Sequence, residues 1–582
     1  MIDPKLTLAL IQDNATVGDI EGNVAKIHAH IDANMTADLI VFPEMFLTGY
    51  PLGDLVTRPS FLAQVGRALQ DLSDWVVAQE GPSILVGAPQ SGDGLPYNGA
   101  WLIEPSGAMR VVRKTELPNS DVFDERRTFL NHEGQNLPLP FKGFNLGVMI
   151  CEDMWHGRVA RNLADEMADI LIALNGSPFH VGKQSVRIDH AKNRVRATGL
   201  PLIYLNLTGA QDEIVFDGAS FVLNANGSLD QMVAFQNQSH RVVVTRTEEG
   251  VMVTPETEIS NATYPDKIAS KYSACVLGLR DYVSKIGNPR VVIGVSGGLD
   301  SALVAAMAVD ALGADRVIGV MMPSQYTGGE SLGLADELME RLGIHRQVLP
   351  IGDAYEAVDR GATRTITALA AGIGIEAQMG VTRENFQARL RGLYLMGLTN
   401  ALGAILLSTG NKSEMSVGYA TLYGDMNGGF NPLKSIWKTE AFEMCRWRNL
   451  QSDLALVSLP AKPVSNPIPD GIITRPPTAE LADDQSDTKS LGDYEILDTV
   501  LKLITEEQAD HMVAAFRITE IFGEEGVLQL TGGEDANAYA FRIARLVRGA
   551  QYKRDQSCPG PKTNRTDYGL GWRYPIAGTY QL

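Results

Sequence analysis

The sequence predicts an α/β protein in two domains, the second built on a doubly wound parallel sheet. Three observations carry this. The 582-residue chain is longer than one hydrophobic core usually organises. Its first part alternates short β-branched runs with amphipathic helical stretches. Beyond an aperiodic segment near residue 250, a new β-α-β-α-β series begins.

Taken in order, the strand candidates of the first part are "LTLALIQ", "DLIVFPE", "SILVGAP", "AWLIEP", "RVVRK", "NLGVMIC", "DILIALN", "PLIYLN", "ASFVLN" and "RVVVTR". Each is a short apolar run bounded by polar or turn residues. Stretches from Asn23 to Met35 and from Phe61 to Gln79 carry apolar residues at helical spacing. Around "EEGVMVTPETEISNATYPDK" the periodicity is lost, so 247–268 is expected to be a linker between domains at 1–246 and 269–582. The helix "SACVLGLRDYVSKIG" opens the second domain. It is followed by "RVVIGVS", a helix, "RVIGVMMP", a helix from about Ser331 to Leu342, and "HRQVLP", whose parallel strands should gather ligands at their carboxyl ends. The Pro-, Asp- and Ser-rich stretch 460–493 reads as a mobile loop.

Charge and cysteine content narrow the function. Fifty basic against 69 acidic residues give a formal charge of −19, so no general basic footprint for nucleic acid or an anionic membrane exists. No apolar run approaches a membrane span and "MIDPKLTLALIQD" lacks a signal-peptide pattern, so a cytoplasmic location is expected. Cys151, Cys275, Cys445 and Cys558 lie far apart with no C-x-x-C spacing, which argues against a disulfide scaffold or a thiolate metal cluster.

Cys151 ends the strand "NLGVMI" just before a predicted helix, where a helix N-terminus could lower its thiol pKa. Glu44 and Lys114 end two further strands, "DLIVFPE" and "RVVRK". Converging there, a carboxylate, an ammonium and a thiol would supply base, oxyanion stabiliser and nucleophile; the plain alternative is an inert core cysteine and solvated strand ends. The segments "VFPEMFLTGYP", "RKTELPNSDVFDERRTF", "GVMICEDMW" and "NGSPFHVGK" resemble the glutaminase domain of the nitrilase superfamily, in the form fused to NAD synthetases. The resemblance implies a four-layer α-β-β-α sandwich and a catalytic triad of Glu44, Lys114 and Cys151. It also implies that Ser177 and Lys183 contact glutamine, with Glu125 as a supporting second glutamate. Ser120 stands where this family pattern leads one to expect an aromatic residue.

"VVIGVSGGLDSALVAAM" admits two uses. Gly294-Val-Ser296-Gly-Gly298 fits the G-x-S-x-G nucleophile elbow, which needs a later histidine. After Ser296 only His345 and His511 remain, in a strand entry and a helical stretch. Alternatively, Ser296, Gly297, Gly298, Asp300 and Ser301 form an S-G-G-x-D-S string whose amides and hydroxyls suit phosphate oxygens. This string resembles the pyrophosphate loop of the adenine-nucleotide alpha hydrolases, which cleave ATP to AMP and pyrophosphate. "GNKS" at 410–413 lacks the order of a P-loop.

"ENFQARLRG", "STGNKSEMSVGYATLYGDMNGGFNPLKSIWKTE" and "RPPTAELADDQSD" are similar to NAD synthetases. That resemblance implies Thr409 and Lys438 at ATP, and Asp300 with Glu414 at Mg2+. It implies Arg389, Thr421, Asp425 and Lys553 at deamido-NAD, although Asp555 departs from the usual basic run beside Lys553. The implied reaction amidates deamido-NAD to NAD with ATP and glutamine, through a Cys thioester and an acyl-adenylate. Because an amine free in neutral water is mostly a non-nucleophilic cation, the ammonia is expected to pass from Cys151 to the acyl-adenylate near Ser296 along an enclosed route. The resemblance further implies a homo-oligomer joined through the synthetase domain. An RNA-modifying or other amidotransferase using the same loop is the alternative. It would be expected to bring a basic or zinc-binding nucleic-acid module, and the sequence shows none.

Overall fold

In the strand Lys5–Gln12, Leu6, Leu8 and Leu10 point to one side and Ala9 and Ile11 to the other, and both sides are buried. This is the pattern of a strand inside a layered sandwich. The computed structural model describes residues 5–248, 250–256, 262–287, 289–452, 459–460, 462–476, 481 and 490–577. It divides into two compact units, Met1–Lys267 and Ile268–Leu582.

Unit 1 contains two large sheets. The seven-stranded sheet runs in the order Gly250–Pro255, Gln238–Thr247, Lys5–Gln12, Leu39–Val41, Ser83–Gln90, Tyr97–Ile103, Met109–Arg113. The six-stranded sheet runs Leu229–Gln231, Phe221–Leu223, Leu202–Asn206, Ile170–Asn175, Phe144–Ile150, Leu139–Phe141. Leu6, Leu8, Leu10, Val41 and Leu85 of the first mesh with Val148, Ile150, Ile172 and Leu205 of the second to form the central core. Helices Ile20–Ala33 and Pro59–Gln79 cover the outer face of the first sheet, and Gly157–Asp165 and Lys183–Thr198 that of the second. The result is the expected four-layer α-β-β-α sandwich. All ten strand candidates of this part are strands.

Part of the segment expected as a linker folds. Gly250–Pro255 pairs antiparallel with Gln238–Thr247, setting Val253 opposite Val244, and Val253 is buried. The run "GVMVT" alternates, but it is short and flanked by Glu and Pro, so only its partner strand reveals it. The neighbouring residues 257–261 lie outside the described set.

Unit 2 holds a four-stranded, all-parallel sheet in the order His345–Val348, Val317–Met321, Val291–Gly294, Ile405–Leu407. Val292, Val320 and Leu406 pack with Leu395 of the helix Met379–Leu402. The helix Leu299–Leu312, with almost every side chain buried, follows the strand Val291–Gly294. The strand order reverses between Val291–Gly294 and Ile405–Leu407, and such a switch point opens a crevice at the strands' carboxyl ends. Helices Tyr494–Thr505, His511–Thr531 and Ala536–Gly549 build a separate helical core. Within 460–493, expected as a loop, Asp470–Thr474 is a short helix that buries Ile472 and Ile473, while 461, 477–480 and 482–489 lie outside the described residues. Among the described residues no helix is long and apolar enough to cross a membrane.

Candidate active site

The three strand ends of unit 1 meet. Glu44 and Lys114 are fully buried and Cys151 is nearly so. Lys114 Nζ stands 2.8 Å from Glu44 Oε1 and 2.8 Å from Glu125 Oε2. Asn98 Nδ2 donates to Glu44 Oε1 at 2.7 Å and the Gly176 amide donates to Glu44 Oε2 at 2.7 Å, so both carboxylate oxygens are fixed. Tyr50 donates to Glu125 Oε1 at 2.8 Å. Cys151 caps the short helix Glu152–Trp155 with φ +46°, a region L-residues rarely adopt. Such an outlier at a strand-to-helix turn is backbone strain of the kind that sets a nucleophile at a site.

Burial works against the charge on Lys114, yet the carboxylates of Glu125 and Glu44 outweigh it and hold the ammonium well above the ordinary lysine value. Burial pushes the Glu125 carboxyl up. For the thiol the outcome corrects the expectation of a lowered pKa. Burial, then the Glu44 charge, push Cys151 well above the ordinary cysteine value, with Lys114 pulling the other way. A four-residue helix has too little dipole to offset this. The resting sulfur is therefore a thiol beside a carboxylate, an arrangement in which a base must take its proton as it attacks.

Ser177 is buried, and Arg187 fastens it by donating from Nε to its Oγ at 3.2 Å and from Nη2 to its carbonyl at 2.9 Å. Lys183 opens the helix Lys183–Thr198, and its Nζ lies 4.2 Å from the centre of the Trp155 ring. Burial, then Arg187, bring its pKa down to about 8. Ser120 is exposed in a turn, its carbonyl accepting the Phe123 amide at 3.1 Å. Sequence reasoning missed Tyr50, Asn98, Asp153 and Arg187. Asp153 is buried and accepts from three backbone amides, those of Thr115, Glu116 and Ile150.

In unit 2 the choice between the two readings of the Ser296 string becomes geometric. Ser296 is not among the residues with positive φ, and its hydroxyl pairs with Ser301 Oγ at 3.1 Å rather than with a histidine. Positive φ (+81°) falls on Gly297, where an added Cβ would come within 2.2 Å of the Ser331 carbonyl oxygen, so glycine is required. Ser301 Oγ donates to the Gly298 carbonyl at 3.0 Å, folding the loop onto the first turn of Leu299–Leu312. The loop lacks the strained serine and histidine partner of a nucleophile elbow, and it stands at a helix N-terminus, where backbone amides suit an anion.

The loop lines a cavity of about 320 Å³, together with Thr409, Glu414, Asp425 and Lys438. Lys438 Nζ binds Asp300 Oδ2 and lies 3.9 Å from Glu414 Oε1. Asn411, three residues before Glu414, caps the helix Lys412–Val417. Its Oδ1 accepts the Glu414 amide at 3.0 Å and its Nδ2 donates to Asp300 Oδ1 at 3.2 Å. The N-x-x-E spacing of a capping box was the signal that could have found it. Among the described residues no three His, Cys, Asp or Glu side chains form a metal cluster. The carboxylates of Asp300 and Glu414 on this cavity nevertheless fit magnesium, which takes one or two protein carboxylates and completes its shell with phosphate and water oxygens.

Thr421 and Asp425 lie together, the Thr421 amide donating to Asp425 Oδ1 at 2.6 Å, and burial brings the Asp425 carboxyl up to about 6. Arg389 is exposed and donates to the Leu422 carbonyl at 3.2 Å. Lys553 gives its ammonium to the carbonyls of Gly418 and Ala420, both at 2.7 Å, and so braces the loop that holds Thr421. Asp555 accepts from Gln551 at 2.8 Å and leaves Lys553 undisturbed.

Comparison with known proteins matches residues 7–240 to the carbon-nitrogen hydrolase family and 271–535 to the NAD synthase family. The chain is similar to the glutamine-dependent NAD(+) synthetase of Rhodobacter capsulatus, 40% identical over 580 residues that cover 99% of each chain. It is 38% identical to that of Xanthomonas campestris pv. campestris (strain 8004), over 99% of this chain and 98% of the relative. A solved glutamine-dependent NAD+ synthetase from Acinetobacter baumannii, in complex with adenosine diphosphate, superposes with a TM-score of 0.72 at 34% identity, covering 98% of both chains.

Proposed function

The chain belongs to the glutamine-dependent NAD(+) synthetase family, and from that premise we propose how its residues divide the synthesis of NAD from deamido-NAD, ATP and glutamine. The observation that carries the division is the pair of unlike sites. One is a buried Glu44–Lys114–Cys151 cluster in unit 1, and the other is an anion cradle facing a cavity in unit 2.

In unit 1, Ser177 and Lys183 orient glutamine. Glu44 takes the proton of the Cys151 thiol as the sulfur attacks the side-chain carboxamide. Lys114, with the amide of Glu152 at the helix start, holds the oxyanion. The carbon–nitrogen bond breaks, ammonia leaves carrying the proton from Glu44, and water then cleaves the thioester to glutamate and the free thiol. Glu125 keeps Lys114 charged through this cycle.

In unit 2, the Ser296–Ser301 cradle, Thr409 and Lys438 hold ATP, while Arg389, Thr421, Asp425 and Lys553 shape the deamido-NAD pocket. The nicotinate carboxylate attacks the α-phosphorus, pyrophosphate leaves, and ammonia displaces AMP from the acyl-adenylate with loss of a proton. Asp300 and Glu414 would hold Mg2+, which supplies positive charge against the leaving pyrophosphate. Assembly into a homo-oligomer through unit 2 is part of the same reading. It is supported by the exposed apolar side chains Leu369, Ile373, Ile375, Val381 and Leu393, and gel filtration with light scattering measures it.

The deciding experiment supplies ATP, Mg2+ and deamido-NAD with either glutamine or ammonium. NAD, AMP and pyrophosphate should form with both donors, and glutamate with glutamine only. Absence of NAD with both donors overturns the reading.

A further inference from the structure

Asp153 has no role in the chemistry above, yet its side chain is tied to the strand ends of both Lys114 and Cys151, beside the Glu44–Gly176 bond that also crosses between the sheets. Lys114 follows Met109–Arg113 in the seven-stranded sheet, and Cys151 follows Phe144–Ile150 in the six-stranded sheet. Apart from their packing, two such sheets have no backbone ladder between them to fix how their ends align. Asp153 supplies a link. Its Oδ2 accepts the Ile150 amide at 3.0 Å, one residue before the nucleophile. Its Oδ1 accepts the amides of Thr115 at 3.0 Å and Glu116 at 2.8 Å, the two residues after Lys114. The carboxylate is 1% exposed, so water cannot replace these bonds.

We propose that Asp153 is a positioning residue that straps the two sheets together at their catalytic ends and sets the reach of Lys114 and Glu44 to the Cys151 sulfur. Only a short carboxylate does this. Three amide donors converge on two oxygens, and a side chain with a donor of its own would oppose one of them. The strap also fixes the strained turn. With Ile150 held from below and the Cys151 amide bound to the Leu174 carbonyl at 2.9 Å, the φ of +46° at Cys151 has nowhere to relax.

This inference rests on the triad reading of Glu44, Lys114 and Cys151, and the test separates the two. Asp153→Asn keeps an oxygen for Thr115 and Glu116 but turns an amide NH2 onto the Ile150 amide, two donors face to face. Loss of alignment by even 1 Å should lower kcat for glutamine hydrolysis about a hundredfold while KM for glutamine stays within about threefold. Ammonia-dependent NAD synthesis should be unchanged. Hydrogen exchange should quicken in both 114–116 and 150–151, although the substitution touches only one of these segments in sequence. The strap is refuted if kcat is unaltered, if KM alone rises, or if exchange quickens near Ile150 only. If instead Cys151→Ala still uses glutamine, it is the triad reading that falls. Should Asp153→Asn not fold, the unsubstituted protein carries the test. The amides of Ile150, Thr115 and Glu116 must then exchange through one shared opening with similar protection, and markedly faster exchange of Thr115 and Glu116 than of Ile150 overturns the proposal.

Discussion

Arg187 and Asp217 meet in a two-pronged ion pair, at 2.8 and 2.9 Å, with neither side chain exposed. Tyr264 donates to the same carboxylate at 2.7 Å, and the far side of the guanidinium grips Ser177. Removing one partner leaves an uncompensated buried charge. Asp217→Ala is therefore expected to destabilise unit 1 by about 3–5 kcal/mol, whereas solvent screens exposed pairs such as Arg127 with Asp124, whose loss should leave stability nearly unchanged. Urea unfolding followed by a probe in unit 1 measures the difference, and a change below 1 kcal/mol for Asp217→Ala would contradict it.

Cys151→Ala should reduce glutamine-dependent NAD formation below about one part in 10⁴ and leave ammonia-dependent formation intact, because the nucleophile serves only the nitrogen donor. Equal loss with both donors would reject the assignment. The thiol, which burial keeps protonated at rest, should also react slowly with iodoacetamide at neutral pH and faster as the pH is raised.

Lys183 gives the pH dependence. Burial and Arg187 lower its pKa in the folded protein to about 8 from the usual 10.5. Below about 8 it is charged and able to meet a substrate carboxylate; as pH rises through that value the charge is lost. The sign for stability is opposite, since the folded state binds fewer protons than the unfolded one between about 8 and 10.5, so stability contributed by this group rises over that window. KM for glutamine should climb between pH 7 and 9, and Lys183→Met should give a high KM that no longer varies with pH. A wild-type KM flat across the range would show that the ammonium does not contact glutamine.

Asp300→Asn and Glu414→Gln should each slow both donor-dependent reactions about a hundredfold and raise the magnesium concentration needed for half activity. Lys438 complicates the first variant, because its ammonium loses its closest carboxylate. Circular dichroism on each variant controls for folding, and an unchanged magnesium requirement in both would show that these residues are not ligands.

Much of the site could be read in the sequence because chemistry and strand pattern coincide there. Glu44, Lys114 and Cys151 each follow an apolar β run, and the glycines and hydroxyls around Ser296 stand between a strand and a helix. What escaped notice were groups whose partners lie far along the chain or on the backbone. Arg187 and Asp217 are 30 residues apart and read singly as surface charges, and Asp153 bonds only amides. The strand Gly250–Pro255 depends on its neighbour for burial. The direction of the Cys151 pKa was missed because local sequence displays the helix start but not the closed surroundings that outweigh it.

A residue needed only to begin a helix can be Asn, Asp or Ser with little difference. Position 411 has lost that interchangeability. Aspartate would still accept the Glu414 amide, but it would turn a second carboxylate toward Asp300, which Asn411 now reaches with an N–H at 3.2 Å. Serine would begin the helix and fall short of Asp300. Three residues that are near-synonyms elsewhere are thus reduced to one, and homologous chains that keep Asp300 and Glu414 should also keep asparagine at the head of this turn.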